Sequence, residues 1–156
     1  MIGAVLVVLA LAIDNATAAT GVYRPTGPTN QKHVRDPSIP CSSTAFGPEF
    51  PYGPQYKPTG WMLSYGGGAS CAGGVGLKKV VVHAEVLGQD GHTWYEITGS
   101  RIVGGPSYAN PVRAFASRPA YLGHVYRVVN TAVFTFPLYR HVQTIYITAV
   151  TKGYAP

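Results

Sequence analysis

The stretch Leu77–Leu87 (LKKVVVHAEVL) carries the clearest structural signal in the chain. From Val80 onward every second side chain is apolar, whereas the positions between them mix apolar and polar residues. A period of two residues with many β-branched side chains is typical of a strand that buries one face. A turn signal (QDG) follows at 89–91, and residues 92–97 are predicted to return beside the first strand as a hairpin.

Outward from this hairpin, the chain after residue 60 repeats the pattern of short strands. Further strands are predicted at residues 60–65, 100–103, 112–116, 124–136 and 142–150, separated by glycine and proline pairs. None of these segments has the apolar stripe of an amphipathic helix. The sequence therefore predicts an all-β fold, in which residues 60–156 form an antiparallel β-sandwich.

One strand resembles a known family. Residues 121–128 (YLGHVYRV) resemble the penultimate strand of fibronectin type III and immunoglobulin-like (Ig-like) domains. In those domains a leucine precedes by four residues a tyrosine whose hydroxyl bonds back to the upstream corner, and Leu122 and Tyr126 have this spacing. The resemblance implies an Ig-like sandwich, but it implies no function, because this fold carries many functions.

The first 19 residues are predicted to be a secretory signal peptide. Residues 2–13 (IGAVLVVLALAI) are uniformly apolar, and small residues follow at 16–19, as a cleavage site requires. The apolar run is shorter than the roughly 20 residues that a membrane-spanning helix needs, and no later segment is predicted to span a membrane. The alternative is a buried N-terminal strand or helix. Export is the interpretation that the pattern favours.

The two cysteines, Cys41 and Cys71, are predicted to form a disulfide, as an even pair in an exported chain indicates. Closing a loop of about 30 residues contributes roughly 3–4 kcal/mol in the chain-entropy estimate. Free thiols or a metal pair are the alternatives. A metal site needs more ligands, and neither CxxC nor HxxxH spacing occurs in the chain.

Residues 20–59 are predicted to form an extended, proline-rich N-terminal arm. Eight of the 13 prolines lie in this part of the chain, and proline disfavours both helices and central strands. The arm also carries aromatic rings, which a disordered linker lacks. We expect residues 20–40 to be free until a partner arrives, and residues 41–60 to be held on the sandwich by the disulfide. Alternatively, the arm folds back over its own sandwich and covers an edge strand.

The arm is the predicted partner-binding region, because aromatic and arginine side chains are enriched in binding hot spots. The candidate residues are Tyr23, Arg24, Pro25, Pro28, His33, Arg35 and Phe46. The chain has 12 Lys and Arg residues against six Asp and Glu, and this excess favours an acidic partner. The basic residues are scattered and no nucleic-acid motif is present, so no nucleic-acid partner is predicted.

No catalytic residue, metal site or cofactor is predicted. The five histidines share no metal-ligand spacing. Glu85 and Glu96 are expected to face each other across the 77–97 hairpin, but cross-strand glutamates beside basic residues are typical of a solvated face. The sequence RIVGG at 101–105 resembles a protease activation site, yet the chain has no GDSGG nucleophile motif.

In layout, the chain resembles the small adaptor subunits of actinobacterial umbrella toxin particles. Those subunits are exported and have a globular β domain with an N-terminal strap that inserts into a large repeat-bearing subunit, which they bridge to a lectin-like subunit. The resemblance implies that residues 20–45 are the strap and that the body contacts the lectin. The predicted function is therefore a secreted, non-enzymatic adaptor whose arm docks on a larger extracellular protein in a multi-subunit particle, of which a toxin particle is the example that the resemblance supplies.

Two other functions stay open at this point. A module that binds carbohydrate or the cell envelope would stack exposed rings such as Tyr65, Trp94 or Tyr95 on sugars. A secreted protease inhibitor would present the segment 66–74 as a loop. The run of three glycines that begins this segment is expected to be flexible, which suits an inhibitor poorly.

Overall fold

The fold is taken from a computed structural model that describes residues 24–25, 29–36, 38–74, 76–136 and 143–156. The predicted signal peptide (1–19), Tyr23 and Pro28 lie outside the described residues. The described residues form nine strands: β1 (Thr29–His33), β2 (Cys41–Glu49), β3 (Trp61–Cys71), β4 (Leu77–Leu87), β5 (Trp94–Glu96), β6 (Ile102–Ser107), β7 (Val112–Ala120), β8 (Tyr126–Phe136) and β9 (Gln143–Val150). Their one helical element is a short 3-10 turn at Ala72–Gly74.

The strands form two antiparallel sheets that pack face to face. Sheet A has the order β1-β2-β3-β7, and sheet B has the order β5-β4-β8-β9, with β6 also paired to β4. A buried apolar cluster drawn from both sheets fills the space between them. The predicted antiparallel β-sandwich is therefore confirmed. The order β2-β3-β7 opposite β4-β8-β9 is that of strands A-B-E and C-F-G in Ig-like domains, and β1 is an addition to it.

The Ig-like corner is present in its hydrogen bond but not in its leucine. At the start of β8, the Tyr126 hydroxyl accepts a hydrogen bond of 2.9 Å from the backbone N–H of Tyr121. This bond is the corner contact of Ig-like domains. Leu122 is 66% exposed, however, and so contributes no packing to the core.

The core follows the alternation of β4. Val80, Val82 and Ala84 are fully buried, as the two-residue period predicts. Tyr65 of β3 is also fully buried, and its hydroxyl donates a hydrogen bond of 2.6 Å to the carbonyl of Ser100. Burial raises the pKa of Tyr65 to about 12. The hydroxyl therefore stays protonated at neutral pH and keeps this bond.

A buried amide joins the two sheets. Asn130 of β8 is fully buried, and its Nδ2 donates to the carbonyls of Thr44 (3.0 Å) and Gly68 (2.9 Å) and to the hydroxyl of Ser43 (2.9 Å). Its Oδ1 has no partner among the described residues. Because the three acceptors lie on β2 and β3, Asn130 specifies how sheet B sits on sheet A.

The predicted boundary between the arm (20–59) and the sandwich (60–156) is corrected. Strands β1 and β2 are part of sheet A, and β2 lies between β1 and β3. The prolines at 28, 37 and 40 stand outside these strands in the sequence, and Pro48 is the one proline within β2. Pro48 lies where the pairing of β2 with β3 shifts, between Phe46 and Glu49, so it interrupts no continuous ladder. β2 thus reaches the middle of the sheet despite the proline content around it.

The glycine run at 66–68 is also corrected, from a flexible loop to the interior of β3. A Cβ on Gly66 would overlap the ring of Phe115, and one on Gly67 would overlap the amide of Asn130. Glycine is therefore required where neighbouring side chains approach the backbone of a central strand. The glycine run at 66–68, which the sequence analysis took for a loop, allows neighbouring side chains to pack against the backbone of β3.

The predicted disulfide is confirmed. Cys41 and Cys71 are directly paired residues of β2 and β3, and both are 1% exposed. The side chain of Asn110 accepts from the backbone N–H of Cys71 (3.0 Å) and donates to its carbonyl (2.7 Å). The side-chain amide of Asn110 thus makes the two backbone hydrogen bonds to Cys71 that a neighbouring strand would otherwise make. Residues 41–49 are held on the body, as expected for the second part of the arm.

Candidate functional site

The five described candidate residues from the predicted arm lie on sheet A or directly before it. Arg24 and Pro25 precede β1, His33 ends that strand, Arg35 follows it, and Phe46 is on β2. Arg24 is exposed, whereas Pro25 is buried. Because β1 is paired with β2 throughout, the expectation of a free segment over 20–40 is wrong for residues 29–33.

One row of paired residues crosses sheet A and places two aromatic rings near each other. Phe46 of β2 is paired with Gly66 of β3, which is paired in turn with Phe115 of β7. The Phe46 and Phe115 rings have centroids 5.7 Å apart with a tilt of 40°. They meet over the outer face of β3, because the glycine between them has no side chain.

Two arginines lie over these rings. The guanidinium carbon of Arg24 is 5.5 Å from the Phe115 centroid, and that of Arg113 is 5.8 Å from the Phe46 centroid. Cation–π contacts of this kind contribute about 0.5–1 kcal/mol each at exposed sites. We call the four residues Arg24, Phe46, Arg113 and Phe115 the sheet A patch. It is the place where the N-terminal segment contacts the outer face of the sandwich.

A second glycine of β3, Gly68, also lies beside the patch. Gly68 is paired with Arg113, and a Cβ on Gly68 would lie 3.1 Å from Phe46 Cε2 and 3.6 Å from Arg113 Cγ. The Phe46 ring and the Arg113 stem therefore lie close to the backbone of β3. The result is a shallow aromatic surface with guanidinium groups on top.

Neither Arg24 nor Arg113 makes an ion pair with a described residue. The arginines of sheet B differ in this respect. Arg127 donates to the carboxylate of Glu85. Arg101 makes a bidentate contact with Glu96, in which Nε donates to Oε1 at 3.0 Å and Nη2 donates to Oε2. The sheet A patch is thus a surface with unneutralised positive charge, within the part of the chain that the structure describes.

Sheet B confirms the predicted pairing of Glu85 with Glu96 across β4 and β5. His83 Nε2 lies 3.1 Å from Glu85 on the side away from Arg127, so Glu85 is bonded at both oxygens. The hydrogen bond from Arg101 lowers the pKa of Glu96. A carboxyl group with a lowered pKa is ionised at neutral pH and is not suited to act as a general acid.

A buried lysine is the other unusual cation of the sandwich. Lys78 on β4 is fully buried, and its Nζ donates a hydrogen bond of 2.9 Å to the carbonyl of Gly76. Desolvation lowers the pKa of Lys78. Because this amine points into the core and not to solvent, it offers nothing to an external partner.

The edge of sheet A beside the patch is an exposed strand. All five residues of β1 are exposed, and among the described strands β1 is paired only with β2. Thr29 is paired with Phe46, so β1 begins in the same row as the patch. The side-chain amide of Asn30 donates to the carbonyl of Val150 in β9, which ties this edge to sheet B.

The rings predicted to stack on sugars are mostly occupied. Tyr65 is fully buried, and Arg127 lies 4.3 Å above the ring of Trp94. Tyr95 is 56% exposed. An aromatic pair that the sequence interpretation missed is more accessible: Tyr52 is 69% exposed and its ring lies 4.8 Å from that of Trp61.

The sequence interpretation also missed Arg113 and Phe115. Its strand at 112–116 contained the usable signal, since Arg113 and Phe115 alternate with Val112 and Ala114, an apolar and small pair. That alternation places the arginine and the ring on one face of a strand. What it does not contain is the distant partner, because Phe46 lies two strands away across the sheet.

Within the described residues no group of three or more His, Cys, Asp or Glu side chains could hold a metal ion. The search for helices that are long and apolar enough to cross a membrane finds none in the same residues. Comparison of the chain with protein-family models, with curated proteins and with solved structures finds no match.

Proposed function

We propose that the protein is a secreted, non-enzymatic adaptor that docks on a larger extracellular protein through the sheet A patch and the edge of β1. The observation that carries the proposal is the contact of Arg24 with Phe115, beside a strand whose five residues are all exposed. In this proposal the chain is one subunit of a larger particle, and the edge strand β1 takes the place of the strap that the resemblance to toxin adaptor subunits implied over residues 20–45.

The composition of the patch supports a protein partner. Arginine and aromatic side chains are the residues that most often dominate the energy of protein interfaces. The Phe46 and Phe115 rings give a rigid apolar base, and the two guanidinium groups give polar contacts at its top. A patch of this kind is small, so a stable complex needs further contact area around it.

The edge of β1 supplies that additional area. An unpaired strand edge offers backbone N–H and C=O groups to an added strand, which is a common mode of peptide recognition. The Thr29 end of β1 lies in the row of Phe46. A partner strand added along β1 would lie two strand spacings, about 10 Å, from β2, so its side chains would approach the Phe46 side of the patch.

The test is capture followed by measured affinity. The chain without residues 1–19 is tagged, incubated with culture medium of its source organism, and the captured protein is identified by mass spectrometry and purified. Phe115→Ser and Arg24→Ala are expected to raise the Kd at least about tenfold, as loss of a hot-spot contact does. Lys79→Glu, on the outer face of sheet B, is the matched control and is expected to leave the Kd within about twofold.

Thermal unfolding of each variant separates lost binding from lost folding, and Arg24→Ala is informative even where Phe115→Ser destabilises the sheet. Two outcomes contradict the proposal. In one, the chain stays monomeric in the medium and nothing co-purifies at saturating concentration. In the other, the patch variants bind as tightly as the wild type.

A second function is favoured by the aromatic pair Tyr52 and Trp61. A ring that is 69% exposed beside a tryptophan is a suitable surface for stacking on a sugar. A glycan array probed with the wild type and with Tyr52→Ala tests it, with Tyr146→Ala, which removes a ring 67% exposed on sheet B, as the control. The protease-inhibitor alternative is weakened because most of its expected loop lies in the central strand β3.

A further inference from the structure

We infer that the two guanidinium groups of the sheet A patch select an acidic, extended segment of a protein partner. The inference rests on the proposed function and adds the chemistry of the partner to it. It concerns Arg24 and Arg113, whose guanidinium carbons lie 5.5 Å and 5.8 Å from ring centroids and which have no carboxylate partner among the described residues.

Stacking prepares these guanidinium groups for carboxylates. A planar guanidinium that lies over a ring keeps its N–H groups directed to the side, where they can form two parallel bonds to a carboxylate. Sheet B shows the finished form of the same arrangement, since Arg127 lies over Trp94 and also donates to Glu85. On sheet A the ring and the cation are present, and the acid has to come from outside.

The surroundings of the patch carry few acids. The outward positions of β2 and β3 in the rows of the patch are Thr44, Phe46, Gly66 and Gly68. The acid of this part of the sheet, Glu49, lies beyond the register shift of β2, opposite Ser64. At the other end of β1, His33 is on the face of the patch, Lys32 is on the opposite face, and the exposed Asp36 follows the strand. The local charge therefore attracts an anionic segment.

A peptide fits this surface better than a sugar. Stacking of a sugar needs an open ring face, but the Phe46 and Phe115 rings are already engaged by guanidinium groups. A peptide strand at the edge of β1 lies in the row of Phe46, over which Arg113 lies, and a segment that continues across the outer face of sheet A from there approaches Arg24 over Phe115. An acidic glycan is therefore the competing outcome of the test.

The experiment is an NMR titration of the chain without residues 1–19, labelled with nitrogen-15, with a hexaglutamate peptide as the probe. The arginine side-chain Nε–Hε signals are followed. The signals of Arg24 and Arg113 are expected to shift. Those of Arg101 and Arg127 are internal controls that stay in place, because their Nε–Hε groups already donate to Glu96 and Glu85. Arg113→Gln is expected to weaken the apparent affinity roughly tenfold, and Lys79→Gln is expected to have no effect.

Several results overturn the inference. Equal shifts of all four arginine signals would mean diffuse electrostatic attraction, and no shift at millimolar peptide would mean no site. A heparin hexasaccharide that shifts Arg24 and Arg113 at a tenfold lower concentration than hexaglutamate would assign the patch to an acidic glycan. If hexaglutamate fails but Phe115→Ser still abolishes capture of the natural partner, the adaptor function stands and only the acidic preference is wrong.

Discussion

The outer face of each sheet carries arginines over aromatic rings, but the two sheets differ in whether a carboxylate also binds the arginine. On sheet B, Arg127 lies 4.3 Å over Trp94 and also donates to Glu85. On sheet A, Arg24 and Arg113 lie over phenylalanine rings without a described carboxylate partner. An arginine stacked on a ring is part of the structure where a neighbouring strand supplies the acid. Where none does, the arginine remains available to a partner.

The difference arises from register. Glu85 is paired with Arg127 across β4 and β8, so the charge on sheet B is neutralised by its direct neighbour. The equivalent neighbour of Arg113 is Gly68, which has no side chain. The glycines of β3 therefore have two effects on the patch. Gly66 leaves room for the Phe115 ring, and Gly68 gives Arg113 no side-chain partner on β3.

The largest expected effect lies beneath the sheet A face. Asn130→Ala leaves the carbonyls of Thr44 and Gly68 and the hydroxyl of Ser43 without their donor. We expect a loss of about 3 kcal/mol in the free energy of unfolding, because each buried group left without a partner costs about 1–3 kcal/mol and removal of the unpaired Oδ1 offsets part of the loss. Urea unfolding followed by tryptophan fluorescence measures it.

Thr131→Ala is the matched control for that variant, since its hydroxyl bonds to Thr148 on the exposed face of the same strand. It is expected to change the free energy of unfolding by less than about 0.5 kcal/mol. If the two variants were equally stable, the inter-sheet amide would not hold the sandwich in register.

A smaller effect separates the two faces directly. Glu85→Gln removes the charge that neutralises Arg127, whose side chain is 28% exposed. We expect a loss of about 1–2 kcal/mol in the free energy of unfolding, because a partly buried cation loses its charged acceptor. Arg113→Ala, which removes only an exposed cation–π contact, is expected to cost about 0.5 kcal/mol or less. Thermal and urea unfolding of the two variants give the comparison, and an equal cost would contradict it.

The smallest expected effect is the response to acid. The hydrogen bond from Arg101 lowers the pKa of Glu96 below its usual value of 4.5. The stability that this pair contributes is therefore present above about pH 4.5 and is lost as the pH falls through the lowered pKa of the folded protein. Contacts of Arg113 with Phe46 involve no titrating acid and should persist over the same range.

The measurement is the arginine Nε–Hε signal as a function of pH between 7 and the onset of unfolding. We expect the Arg101 signal to move in acid and the Arg113 signal to stay. In Glu96→Gln the movement of Arg101 should disappear. A common movement of both signals in the wild type would show that the whole fold responds instead of one pair.

Much of the fold was accessible from local patterns. The alternation in β4 predicted its bounds and its buried face, and the cysteine pair predicted the disulfide. Both predictions depend on short-range periodicity or on the count of one residue type. The corner bond of Tyr126 was implied by the resemblance of residues 121–128 to Ig-like domains, and the structure contains it.

The errors share a cause. Prolines in the first third of the chain were taken as a barrier to strands, yet β1 and β2 form between them and β2 includes Pro48, and the glycine run of β3 was taken as a loop. In each case the local propensity was read correctly and a tertiary contact overrode it. Cys41 is paired directly with Cys71 in the ladder of β2 and β3, and the ring of Phe115 occupies the space beside Gly66 that a side chain would fill.

For the candidate site too, part of the answer came from the sequence and part only from the tertiary structure. The sequence by itself determined that Arg24 and Phe46 were candidates, because a ring or an arginine in a proline-rich segment is a recognisable binding element. Only the tertiary structure decided that they meet Arg113 and Phe115 on one face, and that neither arginine has an ion-pair partner among the residues that the structure describes. The physical reason is that strand pairing joins residues that are far apart in the chain, and a shift of one residue in register would turn each of these side chains to the opposite face.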